Sequence, residues 1–562
     1  MKKRWEVKKT EINTVKKLAK DLGVSNVVAK LLTLRGINTF DEAEIFFRPK
    51  LCHLHDPFLM KNMHKAVKRL EEAITKNQKI LVYGDYDVDG TTSVAMMYSF
   101  LKKYNKNVEY YIPCRYKEGY GVSLRGIDYA HENKVSLIIT LDCGIRAEEQ
   151  INYAKKVEID FIICDHHTPS DELPDAIAIL NPKQFDCKYP YKHLSGCGVG
   201  FKLVQAYCIK NNISFNEILQ YLDLLAVSIG ADIVPMTGEN RVFAFYGLQQ
   251  VNSKPRVGLK ALMENSFKSK EINMSDLVFN IAPRINAAGR IEHAEKAVEI
   301  LVEEDYEKAK FFAEAIEKNN ETRKALDQSI TKEALSMIDE SKKSTVVFSN
   351  KWHKGVVGIV ASRLIESYYK PTIVFAEHDG LLTGSARSVH EFDLYKAIVK
   401  CSHLCEKFGG HKYAAGLSVK KNNLNAFVDA FETAVSETIT NDQLSPKIKV
   451  DLEININEID KKLFRIIKQF APFGPSNLSP VFITRKVIDN GYAKKIGVER
   501  SHLKTQIKTD NGVIDCIGFG MANDFDCINN HQEFDICYSI QENKWNGIKK
   551  LQLILRDINS AI

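Results

Sequence analysis

No uninterrupted apolar run in this sequence is long enough to cross a bilayer, so a membrane-spanning protein is not expected. The start, Met1-Lys2-Lys3-Arg4-Trp5, is basic, but no apolar core follows it, and no secretion signal is expected. The cysteines are scattered, and several, such as Cys143, Cys164 and Cys208, sit inside apolar runs. That argues against a disulfide framework and suits reduced, buried thiols in a cytoplasm. Charge of one sign is only mildly in excess: the net charge is +7, compatible with a polyanionic partner without requiring one. Residues 1–30 hold nine Lys/Arg against three Asp/Glu, which reads as a basic arm or as a solvated helix face. Proline and glycine are missing from the whole of 300–340. Apolar residues recur there at Leu301, Phe312, Ala313, Ile316, Leu326, Ile330, Ala334 and Ile338, predicting one long helix or two, a strut between lobes.

What is present describes a large soluble protein. At 562 residues, 44% hydrophobic and 27% charged, the chain is too long for one core, and roughly three to four domains are expected. Residues 10–60 read as a small cap of short helices, with Val27, Val28, Leu31 and Leu32 at helical spacing. Strands are predicted at 79–84, 107–112, 136–142, 160–164 and 176–180, most of them separated by helical patterns. Continuous Ile/Val/Leu strands alternating with helices indicate a parallel, doubly wound sheet.

The polar residues fall at the ends of these strands. Asp85, Asp87 and Asp89 follow the first, Asp142 ends the third, and Asp165-His166-His167 ends the fourth. If Asp85 to Asp89 stays extended, its three carboxylates crowd on one side. By itself that stretch is either a solvated acidic turn or a site for a hard divalent cation. Ligands bind at the carboxyl ends of strands in open α/β sheets, so three segments converging on one edge favour the metal. Asp223 lies in the apolar run Tyr221 to Val227 and reads as a fourth ligand, a helix cap or half of a salt bridge. The turn Ser195-Gly196-Cys197-Gly198-Val199-Gly200 precedes a helix, where free N–H groups can meet an anion, or its glycines serve tight helix–strand packing. Arg115, Arg284 and Arg290 are phosphate candidates or plain surface cations.

A second lobe is predicted from about 344, with strands at 345–348 and 372–375 around a helix from Gly358 to Tyr368. Gly384-Ser385-Ala386-Arg387 suits close approach to a phosphate, and Gly409-Gly410-His411 places an imidazole on a turn. The spacing of Cys401, His403, Cys405 and His411 fits no familiar zinc pattern. After Ser445-Pro446, strict alternation from Ile448 to Ile456 and further short strands predict a small β-barrel. Phe482, Arg485, Lys486, Lys504, Tyr538, Lys544 and Trp545 are available there for stacking and phosphate contact, or the barrel is a scaffold.

Together these motifs resemble the DHH phosphoesterase superfamily, whose name is Asp165-His166-His167 here. Within it they are similar to the bacterial 5′→3′ exonucleases specific for single-stranded DNA. The resemblance spans nearly the whole chain. It implies two α/β lobes joined by a long helix, with a C-terminal barrel of the oligonucleotide-binding (OB) type. The expected domains are a helical cap (1–55), the DHH catalytic domain (56–245), a helical connector (246–340), the DHH-associated domain (341–440) and the OB barrel (445–562). It implies two divalent ions, Mn2+ or Mg2+, on Asp85, Asp87, Asp89, Asp142, His166, His167 and Asp223, with Asp142 as the bridge. Arg115, Ser385 and Arg387 resemble a pocket for the 5′-terminal phosphate, Arg284 or Arg290 would contact neighbouring phosphates, and His411 would lie near the cleft. A monomer acting in DNA repair and recombination is expected, with a single-strand-binding protein and a helicase as partners. Tyr83 departs from the pattern, since many superfamily members carry His there. Relatives that cut very short RNA or cyclic dinucleotides, and pyrophosphatases, usually lack the terminal barrel. A catalytically inactive scaffold would need missing ligands, and none is missing.

Overall fold

The computed structural model describes residues 3–267, 271–378, 380–528, 532–545 and 548–560. The chain divides into two compact units. The larger comprises Trp5–Pro283, Ala297–Lys310 and Lys449–Ile562; the smaller comprises Met1–Arg4, Arg284–Lys296 and Phe311–Ile448. No helix among the described residues is long and apolar enough to cross a membrane.

The larger unit begins with helices at Ile12–Leu22, Asn26–Thr33 and Phe40–Phe47, the last started by a reciprocal Thr39–Glu42 capping box. Its central sheet has five strands: β1 (Ile80–Gly84), β2 (Val108–Tyr111), β3 (Leu137–Leu141), β4 (Asp160–Cys164) and β5 (Ala178–Leu180). The spatial order is β2-β1-β3-β4-β5 and every pair is parallel. Strands β1 and β3 are buried along their whole length, which is why their sequences are unbroken apolar runs. Helices α1 (Val88–Leu101), α2 (Leu124–Glu132), α3 (Glu148–Lys156), α4 (Gly196–Lys210) and α5 (Leu222–Ala231) belong to the same lobe. Gly84 pairs with Leu141, and Leu141 with Cys164. The chain therefore leaves the sheet side by side at Asp85, Asp142 and Asp165.

Buried charges tie the N-terminal helices to this lobe. Lys202 and Glu239 form a fully buried pair at 2.9 Å, and Glu239 also takes the N–H of His55. The Arg241 guanidinium donates to the carbonyls of Phe46, Phe470 and Ala471.

The stretch without proline or glycine forms two helices, Glu295–Val302, which lies in the larger unit from Ala297 onward, and α6 (Tyr306–Leu335), which is counted with the smaller unit from Phe311 onward. The sheet of the smaller unit contains β6 (Thr345–Ser349), β7 (Thr372–His378), β8 (Leu381–Arg387), β9 (Cys405–His411) and β10 (Ala414–Lys420). The order is β9-β10-β8-β7-β6, parallel only between β6 and β7, which α7 (Val357–Tyr368) connects.

The C-terminal part of the larger unit is a seven-stranded sheet: β11 (Leu452–Glu453), β12 (Phe482–Val487), β13 (Lys494–Ile496), β14 (His502–Thr509), β15 (Gly512–Gly518), β16 (Phe534–Trp545) and β17 (Ile548–Ser560), in the order β11-β12-β16-β17-β15-β14-β13. The alternating run from Ile448 to Ile456 is not one strand. Strand residues Lys447–Val450 and Leu452–Glu453 flank Asp451, whose buried carboxylate takes the Val481 N–H at 2.9 Å and the Lys8 ammonium at 2.8 Å. A buried carboxylate must find donors, and that need breaks the ladder. Phe482 and Tyr538, expected as stacking residues, are fully buried instead, their ring centroids 6.0 Å apart in the core. Arg485 is held by Asp535 and Glu453, Lys504 lies 5.7 Å from the Tyr492 ring, and Lys486 and Lys544 are exposed. The side chain of Trp545 lies outside the described residues.

Candidate metal centre

The first acidic segment is not extended through to Asp89. Helix α1 starts at Val88, with Asp87 as its N-cap accepting the Gly90 N–H at 3.0 Å and Asp89 in the first turn. A Cβ on Gly90 would stand 2.3 Å from the Asp85 carbonyl oxygen, so the tight return after β1 needs glycine. Asp85 thus stays at the strand end while Asp87 and Asp89 are carried by a helix.

Asp89 is oriented by the glycine-rich segment. That segment starts α4 rather than preceding it, with Ser195 as N-cap. Its free N–H groups do meet an anion, and the anion is Asp89, which accepts from Gly196 at 2.6 Å and Cys197 at 2.9 Å. The Ser228 hydroxyl adds a third bond at 2.7 Å.

Around Asp89 the ligand-type atoms converge. His166 Nε2 lies 3.2 Å from Asp142 Oδ1, 3.5 Å from Asp232 Oδ2 and 3.9 Å from Asp89 Oδ2. Asp142, His166 and His167 form one group with ligand atoms within 4.8 Å of one another; Asp89, His166 and Asp232 form a second. Five buried atoms of this cluster have no hydrogen-bond partner: Asp85 Oδ2, Asp142 Oδ1, both ring nitrogens of His166, and Asp232 Oδ2. Buried polar atoms are rarely left so, and oxygen and imidazole donors facing a shared space fit divalent cations. Asp142 itself has φ of 61°, a left-handed conformation that aspartate tolerates better than most residues.

The electrostatics agree. Burial, followed by the charges of Asp89 and Asp87, pushes the Asp142 carboxyl well above the usual range. Burial and the Asp87 charge do the same to Asp85. Asp232 is pushed up to about 9 by burial and by Asp89. Burial lowers His166 to about 4, which leaves a neutral imidazole. Without a cation these carboxyl groups resist ionisation; a bound cation would reverse that.

Asp165 plays a different part. Its Oδ1 accepts from the N–H groups of His166 (2.7 Å) and His167 (3.0 Å) and lies 2.7 Å from His167 Nδ1; its Oδ2 accepts from Ile145 at 2.9 Å. Burial alone would raise its pKa, but these bonds and the His167 charge lower it to about 2. Burial opposes a charged His167, and the hydrogen bond and charge of Asp165 outweigh it, raising the His167 pKa. With Nδ1 committed to Asp165, the Nε2 of His167 is the atom presented elsewhere.

Asp223 does not join the cluster. Its carboxylate is fully buried and accepts from Arg256 Nε at 3.0 Å and Nη2 at 2.9 Å, and from the Arg256 and Leu224 N–H groups. The salt-bridge reading of this residue is what the fold contains. The carboxylate this helix brings to the cluster is Asp232, the C-cap of α5, about 13 Å further along at 1.5 Å per residue. The apolar run singles out Asp223 in the sequence; the signal for Asp232 is its position at the helix end, in Gly230-Ala231-Asp232. Tyr83 is no ligand either. Its buried hydroxyl donates to the Gly121 carbonyl at 3.0 Å and accepts from the Ser123 N–H at 3.1 Å.

Of the phosphate candidates, Arg115 belongs to this lobe. Its guanidinium lies 4.1 Å from the Tyr86 ring centroid, and its charge acts on Asp85 and Asp87. The others belong to the smaller unit. Arg387, at the end of β8, donates to Ser385 Oγ at 3.0 Å, and burial lowers its pKa. Arg284 is buried in an ion pair with Glu317, its Nη2 lying 3.1 Å from Oε1. Arg290 donates to the Gly355 carbonyl at 2.9 Å. His411 is exposed at the end of strand β9 rather than within a turn, opposite Ala414.

Comparison with known proteins places these features in one family. Residues 79–229 match the DHH family N-terminal domain, 340–437 the DHHA1 domain and 450–557 the RecJ OB domain. The single-stranded-DNA-specific exonuclease RecJ of Bacillus subtilis (strain 168) is 37% identical over 564 residues, covering 99% of this chain and 71% of that protein. The same exonuclease of Escherichia coli (strain K12) is 30% identical over 587 residues, covering 99% and 100%. The crystal structure of RecJ in complex with Mn2+ from Thermus thermophilus superposes with a TM-score of 0.87 at 26% identity, covering 100% of this chain and 80% of that one. With identity running the length of the chain and all three domains matched, the chain belongs to the RecJ family of single-stranded-DNA-specific exonucleases.

Proposed function

We propose that this chain is a single-stranded-DNA-specific exonuclease that removes mononucleotides from the 5′ end with the help of two divalent ions, Mn2+ or Mg2+. The observation that carries the reading is the set of buried, unsatisfied ligand atoms of Asp85, Asp142, His166 and Asp232 at the carboxyl edge of the sheet. When bound, such ions polarise a phosphodiester and supply a nucleophile from water, so no protein nucleophile is required. The residues do the rest. Asp142 would serve as the bridge between the ions; His166, the residue common to both ligand groups, enters as a neutral imidazole; Asp89 is held in place by three donors. Asp165 fixes the His167 ring, and the Arg115 charge favours a phosphate beside the carboxylates. Ser385 and Arg387 are the pocket for the 5′-terminal phosphate, and the OB barrel holds the rest of the strand. The protein works as a monomer in the cytoplasm, beside a single-strand-binding protein and a helicase.

The test is digestion of a 5′-phosphorylated, 3′-labelled single-stranded DNA oligomer with Mn2+, beside its duplex, an RNA copy and a dinucleotide. A ladder shortening from the 5′ end, with the duplex spared, is the expected result. Cleavage confined to the dinucleotide, or none with any metal, would overturn the reading. Asp165→Asn keeps the size of the side chain but weakens its hold on the His167 ring. It is expected to lower kcat about 10–100-fold, the scale for residues that orient a ligand, with little change in KM. A rate within twofold of the parent would show that His167 needs no such support.

A further inference from the structure

The loop after β2 places aromatic side chains beside the cluster, and the reading above assigns them no role. Its two ends are pinned. The Glu118 carboxylate takes the Cys114 N–H (2.8 Å) and the hydroxyls of Tyr111 (2.8 Å) and Ser123 (2.6 Å). Gly121 donates its N–H to Asp85 Oδ1 at 3.2 Å and accepts from the Tyr83 hydroxyl at 3.0 Å. Between these pins Gly119 and Gly121 have φ of 87° and 84°, a left-handed backbone on either side of Tyr120.

Tyr120 is held at its tip and its edge. Its hydroxyl lies 3.2 Å from the Asp142 carbonyl and 3.1 Å from His167 Nε2. Its ring stands edge-on to His167 at 5.8 Å and to Tyr86 at 6.0 Å between centroids. Tyr86 in turn faces the Arg115 guanidinium. A continuous wall of Arg115, Tyr86, Tyr120 and His167 thus borders the carboxylates. Yet Tyr120 remains 52% exposed. An aromatic ring fixed in orientation and left half in water is short of one apolar partner, and a nucleic-acid base is a flat group that supplies it.

We propose that Tyr120 is the platform on which one base of the bound strand stacks next to the phosphodiester being cut, its hydroxyl bond to the Asp142 carbonyl setting the angle of the ring. Stacking accepts any base, because every base has a π face, so the contact positions the strand without reading sequence. The proposal rests on the exonuclease reading for the ligand being a single strand, and adds the residue that detects a base.

The experiment measures binding by anisotropy of a 3′-labelled single-stranded oligomer, with Ca2+ as the divalent ion so that cleavage does not intervene. The intact oligomer is compared with oligomers carrying one abasic site, at the first or the second nucleotide. The wild-type chain is expected to bind the intact oligomer about ten- to a hundredfold more tightly than one of the abasic pair, the scale of a single base–aromatic stack. Tyr120→Ala is expected to bind all three alike, at the weaker value. Tyr120→Phe is expected to keep the discrimination, because the ring remains. Equal discrimination by wild type and Tyr120→Ala, or none by wild type at either position, overturns the proposal. Cleavage of the intact oligomer with Mn2+ is followed in parallel. Base discrimination that depends on Tyr120 in a chain that cuts nothing would count against the exonuclease reading while supporting the platform.

Discussion

Asp142→Ala is expected to lower oligonucleotide cleavage by about a thousandfold or more, the loss seen when a group acting at the reacting centre is removed. Asp142 Oδ1 is buried, lacks a hydrogen-bond partner and lies 3.2 Å from His166 Nε2. Neither Asp89, already committed to the start of α4, nor Asp165, committed to His167, is free to replace it. Asp232→Ala should behave in the same way, and both variants should lose the rise in melting temperature that Mn2+ gives the parent. Asp223→Ala is the contrast. It strips Arg256 of its carboxylate and leaves a mostly buried guanidinium unpaired. That is expected to destabilise the fold by about 3–5 kcal/mol while the folded protein still responds to Mn2+. Melting curves with and without Mn2+ for the three variants decide the matter. If Asp223→Ala lost the metal response and Asp232→Ala kept it, the assignment of the fourth ligand would be reversed.

Metal should also matter more as the pH rises. In the metal-free protein Asp85, Asp142 and Asp232 have pKa values above those of the unfolded chain, Asp232 at about 9. Groups raised in this way contribute stability that is complete below the unfolded value, about 3.9, and is lost as pH climbs through the folded one. His167, also raised, acts in the same direction above about 6.5. His166, lowered to about 4, acts in the opposite sense, but its contribution is complete once pH passes about 6.5. Between about pH 7 and pH 9 the metal-free chain should therefore melt at progressively lower temperature. A divalent cation favours the ionised carboxylates, so the stabilisation by Mg2+ should grow across the same window. Calorimetry at several pH values, with EDTA or with Mg2+, measures both slopes. A Mg2+ effect that shrinks with rising pH would mean the cation binds somewhere other than this cluster.

Much of the architecture could be read before any coordinates. Strands β1 and β3 at the centre of the DHH lobe are almost wholly apolar because both faces of the sheet are covered there, and helical patterns on either side of them mark a parallel sheet. The convergence of Asp85, Asp142 and His166 followed from where their segments leave those strands. Residues whose partners lie far away in sequence were less legible. Phe482 and Tyr538 looked like stacking aromatics because composition does not say which face of a strand is turned inward. Arg284 looked like a free cation because Glu317, its partner, lies a helix away.

The sequence by itself determined the doubly wound sheet and the order of the acidic and imidazole segments along it, since both depend on local periodicity and on spacing along the chain, and its motifs carried the resemblance to the family. The tertiary structure decided which carboxylates keep open, unpartnered oxygens and which are taken up by neighbouring donors. Asp223 and Asp232 are the same residue type at opposite ends of one short helix. Arg256 claims the first and the His166 ring faces the second. Asp165, in the signature itself, is bound to its own neighbours and holds His167 in place. A carboxylate costs too much to bury alone, so its role is set by whichever donor the fold brings to it, and that choice is made between segments, not within them.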